Sequence, residues 1–183
     1  MTMRRTLIPL LLLTGCSFFS RSQSKFYSLD RVAPAAAPVA GVQGVPVSID
    51  GVELPPGLDR REIVVRKPDH QLEIRSAEQW SASLKELALH TLAFDLAARL
   101  RDGMVILPGA TKPAATRSID VVFEELAAGP DAKVVVDARW TLQGVAHHEQ
   151  IAVDVPSLDS ASVATGTSQA IGILADRIAA AVR

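Results

Sequence analysis

The sequence predicts an α+β protein of a single domain, with a largely antiparallel sheet and two helices packed on one face. Three consecutive segments between residues 119 and 155 alternate apolar and polar residues, as half-buried strands do. Two other segments, around residue 90 and at the carboxyl end, repeat apolar residues at helical spacing. Because such a sheet has one apolar face to bury, two amphipathic helices provide its cover.

The first sixteen residues have the pattern of a bacterial secretion signal. Two arginines precede an apolar run of seven residues, LIPLLLL, which is too short to span a bilayer. The run ends in Leu-Thr-Gly15-Cys16, which resembles the lipobox of bacterial lipoproteins. That resemblance implies cleavage between Gly15 and Cys16, diacylglycerol on the Cys16 sulfur and acylation of the new amino group.

These boundaries divide the chain into three parts. We expect a signal peptide at residues 1–15, a lipidated tether at 16–25 and a folded domain at 26–183. By resemblance to enterobacterial sorting signals, Ser17 implies transfer to the outer membrane, with the domain facing the periplasm. The alternative is a plain apolar segment in which Cys16 is incidental.

The amino-terminal half of the domain contains only short strand patterns. Residues 31–44 are rich in Ala, Pro and Gly and predict a loop. Pro46 places its own segment at a sheet edge or at a position that donates no ladder bond. Strands are predicted at residues 26–29, 45–49, 63–65, 72–74 and 105–107.

The strongest helical pattern follows Ser76. Ser76 and Gln79 have the spacing of a capping box, so we expect the helix to begin there. Apolar residues then recur from Trp80 to Leu100, and Gly103 predicts the end of the helix. A second helix is predicted from about residue 160 to the carboxyl end.

The clearest strand pattern spans residues 134–142. Its alternation places Trp140 on the inner face of the sheet, as a core residue. Gly129-Pro130-Asp131 separates this segment from the alternating residues 119–123 and predicts a hairpin connection. A further strand is predicted at residues 151–155.

Composition excludes several functional classes. The 19 Lys and Arg against 20 Asp and Glu give a net charge of −1, which argues against nucleic acid as a partner. The single cysteine cannot form an internal disulfide or a multi-cysteine metal site. The chain also lacks the sequence motifs of a nucleophile elbow, a Walker loop and a dinucleotide-binding turn.

No group of residues predicts catalysis, a metal site or a cofactor. His147 and His148 are adjacent, so in a strand they point to opposite faces and cannot both bind one metal. The same alternation predicts opposite faces for Glu124 and Glu125, which argues against an acid–base pair. We therefore predict that the protein is not an enzyme.

The segment from Leu54 to Arg66 is predicted to be a partner surface. Its prolines stiffen the backbone, and its arginines can make planar, bidentate contacts with carboxylates. The alternative is a surface turn whose arginines pair with the domain's own acidic groups. The candidate contact residues are Leu54, Pro55, Pro56, Leu58, Arg60, Arg61 and Arg66.

An ordered series of motifs resembles the ABC-type transport auxiliary lipoproteins, relatives of the paraquat-inducible protein C lipoprotein. The series comprises the lipobox, Tyr27-Ser-Leu, the Val-x-Leu-Pro to Leu-Asp-Arg block ending at Arg66, Trp80, Phe123-Glu and Ala138-Arg-Trp. Gly57 departs from the pattern, because an aromatic residue often occupies that position.

The resemblance implies a non-catalytic accessory lipoprotein that docks on the periplasmic MCE-domain protein of a lipid transport system, and that assembles as a homo-oligomeric ring. Other polypeptides of that system would span the membrane and hydrolyse ATP. The rival interpretations are a lipid-anchored hydrolase and an envelope-assembly or lipid-carrier lipoprotein outside any transporter.

Overall fold

The computed structural model describes residues 23–35 and 44–182 and confirms the α+β class. Gly15, Cys16 and the lipobox lie outside the described residues. Neither helix in this part of the chain has the length and hydropathy that crossing a bilayer requires. The elements are β1 Lys25–Tyr27, β2 Val47–Glu53, β3 Glu62–Arg66, β4 Leu72–Trp80, α1 Leu84–Arg99, β5 Val105–Ile106, β6 Arg117–Ala128, β7 Lys133–Leu142, β8 Val145–Asp154 and α2 Ser160–Val182.

Within residues 23–35 and 44–182 the eight strands form one mixed sheet, which corrects the expectation of a largely antiparallel one. The pairs β3–β4, β6–β7 and β7–β8 are antiparallel, whereas β1–β4, β2–β5, β2–β6 and β3–β6 are parallel. Parallel neighbours need a crossover connection, and the chain from β2 to β6 includes α1. Alternation within one strand carries no information about such pairings.

Helix α1 begins later than the capping-box motif predicts. Ser76 and Gln79 lie in β4, where Gln79 is opposite Glu62 of β3 and Phe26 of β1. Sheet pairing on both edges therefore outweighs the local helical signal. The N-cap is Ser83, whose hydroxyl accepts a hydrogen bond from the Glu86 N–H at 3.2 Å. The helix ends at Arg99, before the predicted stop at Gly103.

Both helices contribute to one hydrophobic core with the inner face of the sheet. Helix α1 packs on α2 and β2, while α2 also packs on β7 and β8. Close approach of α2 depends on Gly166, where a Cβ atom would lie 2.5 Å from Val155 and 2.8 Å from Val134. The fully buried residues that join the layers include Val47, Leu92, Leu96, Ile119, Phe123, Trp140, Ile171, Leu174 and Ile178.

A β-bulge in β6 corrects the prediction that Glu124 and Glu125 lie on opposite faces of the strand. Phe123 is opposite Ala138 and Glu125 is opposite Asp137, so Glu124 is an extra residue in β6. Phe123 and Leu126 are both buried in the core, and the two glutamates between them lie on the outer face. Glu124 and Glu125 therefore share a face, although each contacts a different arginine.

Candidate functional site

The predicted partner surface forms the connection between β2 and β3. Its turn closes through a hydrogen bond from the Leu58 N–H to the Pro55 carbonyl at 3.1 Å. Gly57 has a φ of 89°, a left-handed conformation that glycine adopts without strain. The turn geometry therefore accounts for glycine at the position where an aromatic residue was expected from the family pattern.

The apolar side chains of this segment are less exposed than the partner-surface hypothesis requires. Leu58 is only 5% exposed and packs with Val64 and Ala127 in a small cluster of its own. Leu54 is half-buried against the main core, whereas Pro56 is exposed. Leu58 is therefore a packing residue of the turn and is not presented to a partner.

The three arginines of the segment differ in their contacts. Arg60 Nε donates to the Glu62 carboxylate at 3.0 Å, and Arg66 forms a 3.0 Å ion pair with Glu125 that lacks hydrogen-bond geometry. Arg61 is exposed and donates to the Ser81 carbonyl at 3.0 Å. In the described part of the chain Arg61 alone of the three has no carboxylate partner, so it is the cation most available to another protein.

A cleft of about 410 Å³ lies between β2, α1 and the loop after β5. Its walls are mostly apolar, and the Asp50–Lys112 ion pair lies at its polar end. Burial opposes ionisation of Asp50, but hydrogen bonds from Lys112, Ser118 and Ser48 outweigh it and lower the pKa of Asp50 to about 2. The cleft therefore combines an apolar wall with a fixed pair of opposite charges.

A polar cluster lies on the outer face, where β6, β7 and β8 run side by side. His148 Nε2 lies 2.7 Å from Asp137 Oδ1, and Gln150 donates to Asp137 Oδ2 at 2.8 Å. These two contacts hold the pKa of Asp137 below its usual value. Arg139 Nε donates to Glu124 at 2.5 Å in the same cluster. Sequence spacing did not reveal this group because its members come from three strands and one is the bulge residue.

A charge cluster in which Asp95 and Arg99 are buried and Asp176 is partly exposed joins the two helices to the segment after β1. Arg99, 2% exposed, donates to the Asp176 carboxylate at 2.7 and 3.2 Å and to the Val32 carbonyl at 3.0 Å. The Val32 N–H in turn donates to Asp95 at 2.9 Å. Burial raises the pKa of Asp95. We call Asp95, Arg99, Asp176 and the Val32 backbone the clasp. The apolar periodicity of α1 did not predict this cluster.

Solved structures with the same fold carry little functional information. One, described as the crystal structure of an uncharacterized protein, has a TM-score of 0.71 at 15% identity and covers 88% of this chain and 99% of its own. A Xanthomonas campestris protein of the DUF330 family has a TM-score of 0.65 at 14% identity, covering 85% and 93%. No curated protein matches in sequence.

The family comparison is more informative, because it covers nearly the whole domain. Residues 27–179 match the family described as the ABC-type transport auxiliary lipoprotein component. The match begins within β1 and ends within α2, so it includes every element from β2 to β8. The chain belongs to the ABC-type transport auxiliary lipoprotein family.

Proposed function

We propose that this protein is a lipid-anchored, non-catalytic accessory subunit of an ABC-type lipid transport system, and that it docks on that system's periplasmic MCE-domain protein. The observation that carries the proposal is the family match over residues 27–179, which describes an auxiliary transport component. A segment that resembles a lipobox precedes the matched domain in the sequence. An anchor and a binding domain are what a docking subunit needs.

The anchor is proposed to be acylated Cys16, inserted in the outer membrane with the domain in the periplasm. Each buried CH₂ group contributes about 0.8 kcal/mol, so two or more acyl chains hold a protein durably on a bilayer. Because the family match begins eleven residues after Cys16, the anchor is not expected to take part in the core of the domain.

Cys16→Ala should release the protein from membranes without changing its melting temperature. Intact-mass measurement of the wild-type protein extracted from membranes should show loss of residues 1–15 and a gain of acyl mass. As a control, Ser17→Asp should keep the acyl mass and move the protein to the inner membrane. A wild-type protein cut at another position, or one without acyl mass, would end the lipoprotein interpretation.

The docking contact is proposed to centre on Arg61. A guanidinium offers planar, bidentate hydrogen bonds to a carboxylate, and such pairs give specificity at protein interfaces. Arg60 and Arg66 already face Glu62 and Glu125, so they fix the turn that presents Arg61. The expected complement is therefore an acidic surface on the MCE-domain protein.

Arg61→Glu should abolish co-purification with the MCE-domain protein and leave the melting temperature unchanged, because Arg61 is exposed and its partner is a backbone carbonyl. Arg60→Glu is the matched control on the neighbouring residue. It places a carboxylate beside Glu62, so it should lower the melting temperature slightly and retain binding. If both variants bind normally, or if Arg61→Glu melts early, the segment is structural and the docking contact lies elsewhere.

The cleft beside Asp50 favours the alternative of a lipid carrier, since its volume and apolar walls fall in the range of small-molecule sites. Adjacent genes for an MCE-domain protein and a permease would favour the accessory subunit. Co-extraction of lipid with the purified domain, lost in an Ile106→Asp variant of the cleft wall, would favour the carrier.

A further inference from the structure

We propose that Glu124, Asp137 and His148 form a binding site for a divalent transition-metal cation of the Zn²⁺ type. One ligand atom from each residue lies within 4.8 Å of the other two. The site lies on the outer face of the sheet and shares no residue with the Leu54–Arg66 segment or with the family's lipidation motif. The proposal is therefore independent of the proposed docking function.

The strand register explains how three residues from distant parts of the sequence meet. Asp137 is opposite Gln150, and Arg139 is opposite His148, so Asp137 and His148 are diagonal neighbours on adjacent strands. The bulge in β6 turns Glu124 to the same face and places it beside Arg139. Rigid strands therefore carry all three ligands, one on each of β6, β7 and β8.

The donor set has the chemistry of a zinc site with open positions. Zn²⁺ binds imidazole nitrogen and carboxylate oxygen at about 2.0–2.2 Å, so tetrahedral donors lie about 3.3 Å apart. His148 Nε2 and Asp137 Oδ1 are 2.7 Å apart, and a small side-chain rotation admits the ion between them. Gln150 holds the other Asp137 oxygen and orients the carboxylate, as outer-shell partners of metal ligands do.

The positive charge of Arg139 opposes binding of a metal cation at this site. Its guanidinium contacts the Glu124 carboxylate at 2.5 Å, so the cation must displace or repel this positive charge before Glu124 can coordinate it. The affinity of the wild-type site is therefore lower than that of the three ligands alone. Removal of the guanidinium should strengthen metal binding, an effect that is unusual for loss of a charged side chain at a polar cluster.

The test is calorimetric titration of the detergent-extracted full chain, made without a histidine tag, with zinc chloride at pH 7.5. We expect binding of one Zn²⁺ per chain and a rise in melting temperature that saturates with it. His148→Ala should weaken binding at least about tenfold, since loss of an outer-shell partner alone costs 10- to 100-fold. Arg139→Ala should bind more tightly than the wild type.

His147→Ala is the matched control, because the neighbouring histidine stacks on Trp140 with ring centroids 3.9 Å apart, on the opposite face of the strand. This variant should keep its one Zn²⁺ at unchanged affinity. Equal zinc binding by the wild type and His148→Ala would overturn the proposal. A wild type that binds no zinc, or weaker binding by Arg139→Ala, would overturn it as well.

Discussion

Trp140→Ala should lower the free energy of unfolding by about 3–5 kcal/mol, the range for replacing a large buried aromatic residue with alanine. Trp140 is 1% exposed, lies opposite Val121 of β6 and His147 of β8, and belongs to the hydrophobic core that both helices contribute to. The side chain is large, and rigid strands surround it. A cavity at this position therefore has little scope to collapse.

Two further variants separate the contributions to this effect. His147→Ala removes the half-buried ring that stacks on Trp140, at 3.9 Å and 6°, and should cost less than Trp140→Ala because the smaller imidazole buries less area. Trp140→Phe keeps most of the buried area and removes an indole N–H that has no hydrogen-bond partner in the described structure, so it should cost less than alanine. Chemical denaturation of each purified variant measures these differences.

Thr141→Ala is the control for position in the strand, because Thr141 is exposed on the opposite face of β7. It should change the unfolding free energy by less than about 0.5 kcal/mol. A Trp140→Ala variant as stable as the wild type, or a Thr141→Ala variant that loses as much, would show that the faces of β7 are assigned wrongly.

The sequence predictions are accurate where the residues of a single segment determine its structure, and they fail where pairing with distant segments determines it. From Val136 to Leu142 of β7 an apolar and a polar residue alternate at every step, so the buried face and Trp140 could be predicted from this strand alone. At Ser76 the local capping motif misplaced the start of the helix, because β1 and β3 pair with that stretch from distant parts of the chain. The parallel pairs of β2 with β5 and β6 are non-local in the same way.

In the candidate sites, too, contacts between distant segments could not be predicted from local sequence patterns. The pairing of Arg60 with Glu62 joins residues two apart, whereas the hydrogen bond from Arg61 to the Ser81 carbonyl joins residues twenty apart, which sequence spacing does not reveal. The burial of Leu58 depends on Ala127 in another strand and was not predicted. The outer-face cluster needed both a bulge and two strand registers, none of which alternation reveals.

The clasp is the least predictable part of the fold, because it places charges where a helical pattern predicts apolar residues. Asp95 is fully buried, and one of its carboxylate oxygens has no partner in the described structure. Burial raises the pKa of Asp95, while the Val32 N–H and the charge of Arg99 act in the opposite direction. Arg99 therefore offsets the cost of a carboxylate that the core cannot otherwise accommodate.

The clasp also fixes the chain between the proposed anchor and the domain. The Asp30 N–H donates to Ser168 of α2 at 3.0 Å, and a Cβ atom at Gly172 would lie 2.7 Å from Val32. The guanidinium of Arg31 lies 3.7 Å from the ring centre of Phe94 on α1. Residues 30–32 therefore contact both helices, and Arg99 adds a hydrogen bond to the Val32 carbonyl.

Arg99→Ala should lower the free energy of unfolding by about 3–5 kcal/mol, because the Val32 and Asp95 backbone carbonyls lose their donor and the buried Asp95 carboxylate loses the nearby positive charge. Arg99→Lys keeps the charge but cannot reproduce the fork to Asp176, so it should cost less than alanine.

Lys85→Ala is the control on the same helix. Lys85 pairs with Glu53 at the surface, where ion pairs contribute little, and its loss should leave stability nearly unchanged. Denaturant unfolding measures all three, and protease cleavage near residue 32 should accelerate in Arg99→Ala alone. An Arg99→Ala variant as stable as Lys85→Ala would mean that Arg99 contributes nothing net to the folded state and that packing and the other hydrogen bonds suffice to hold residues 30–32.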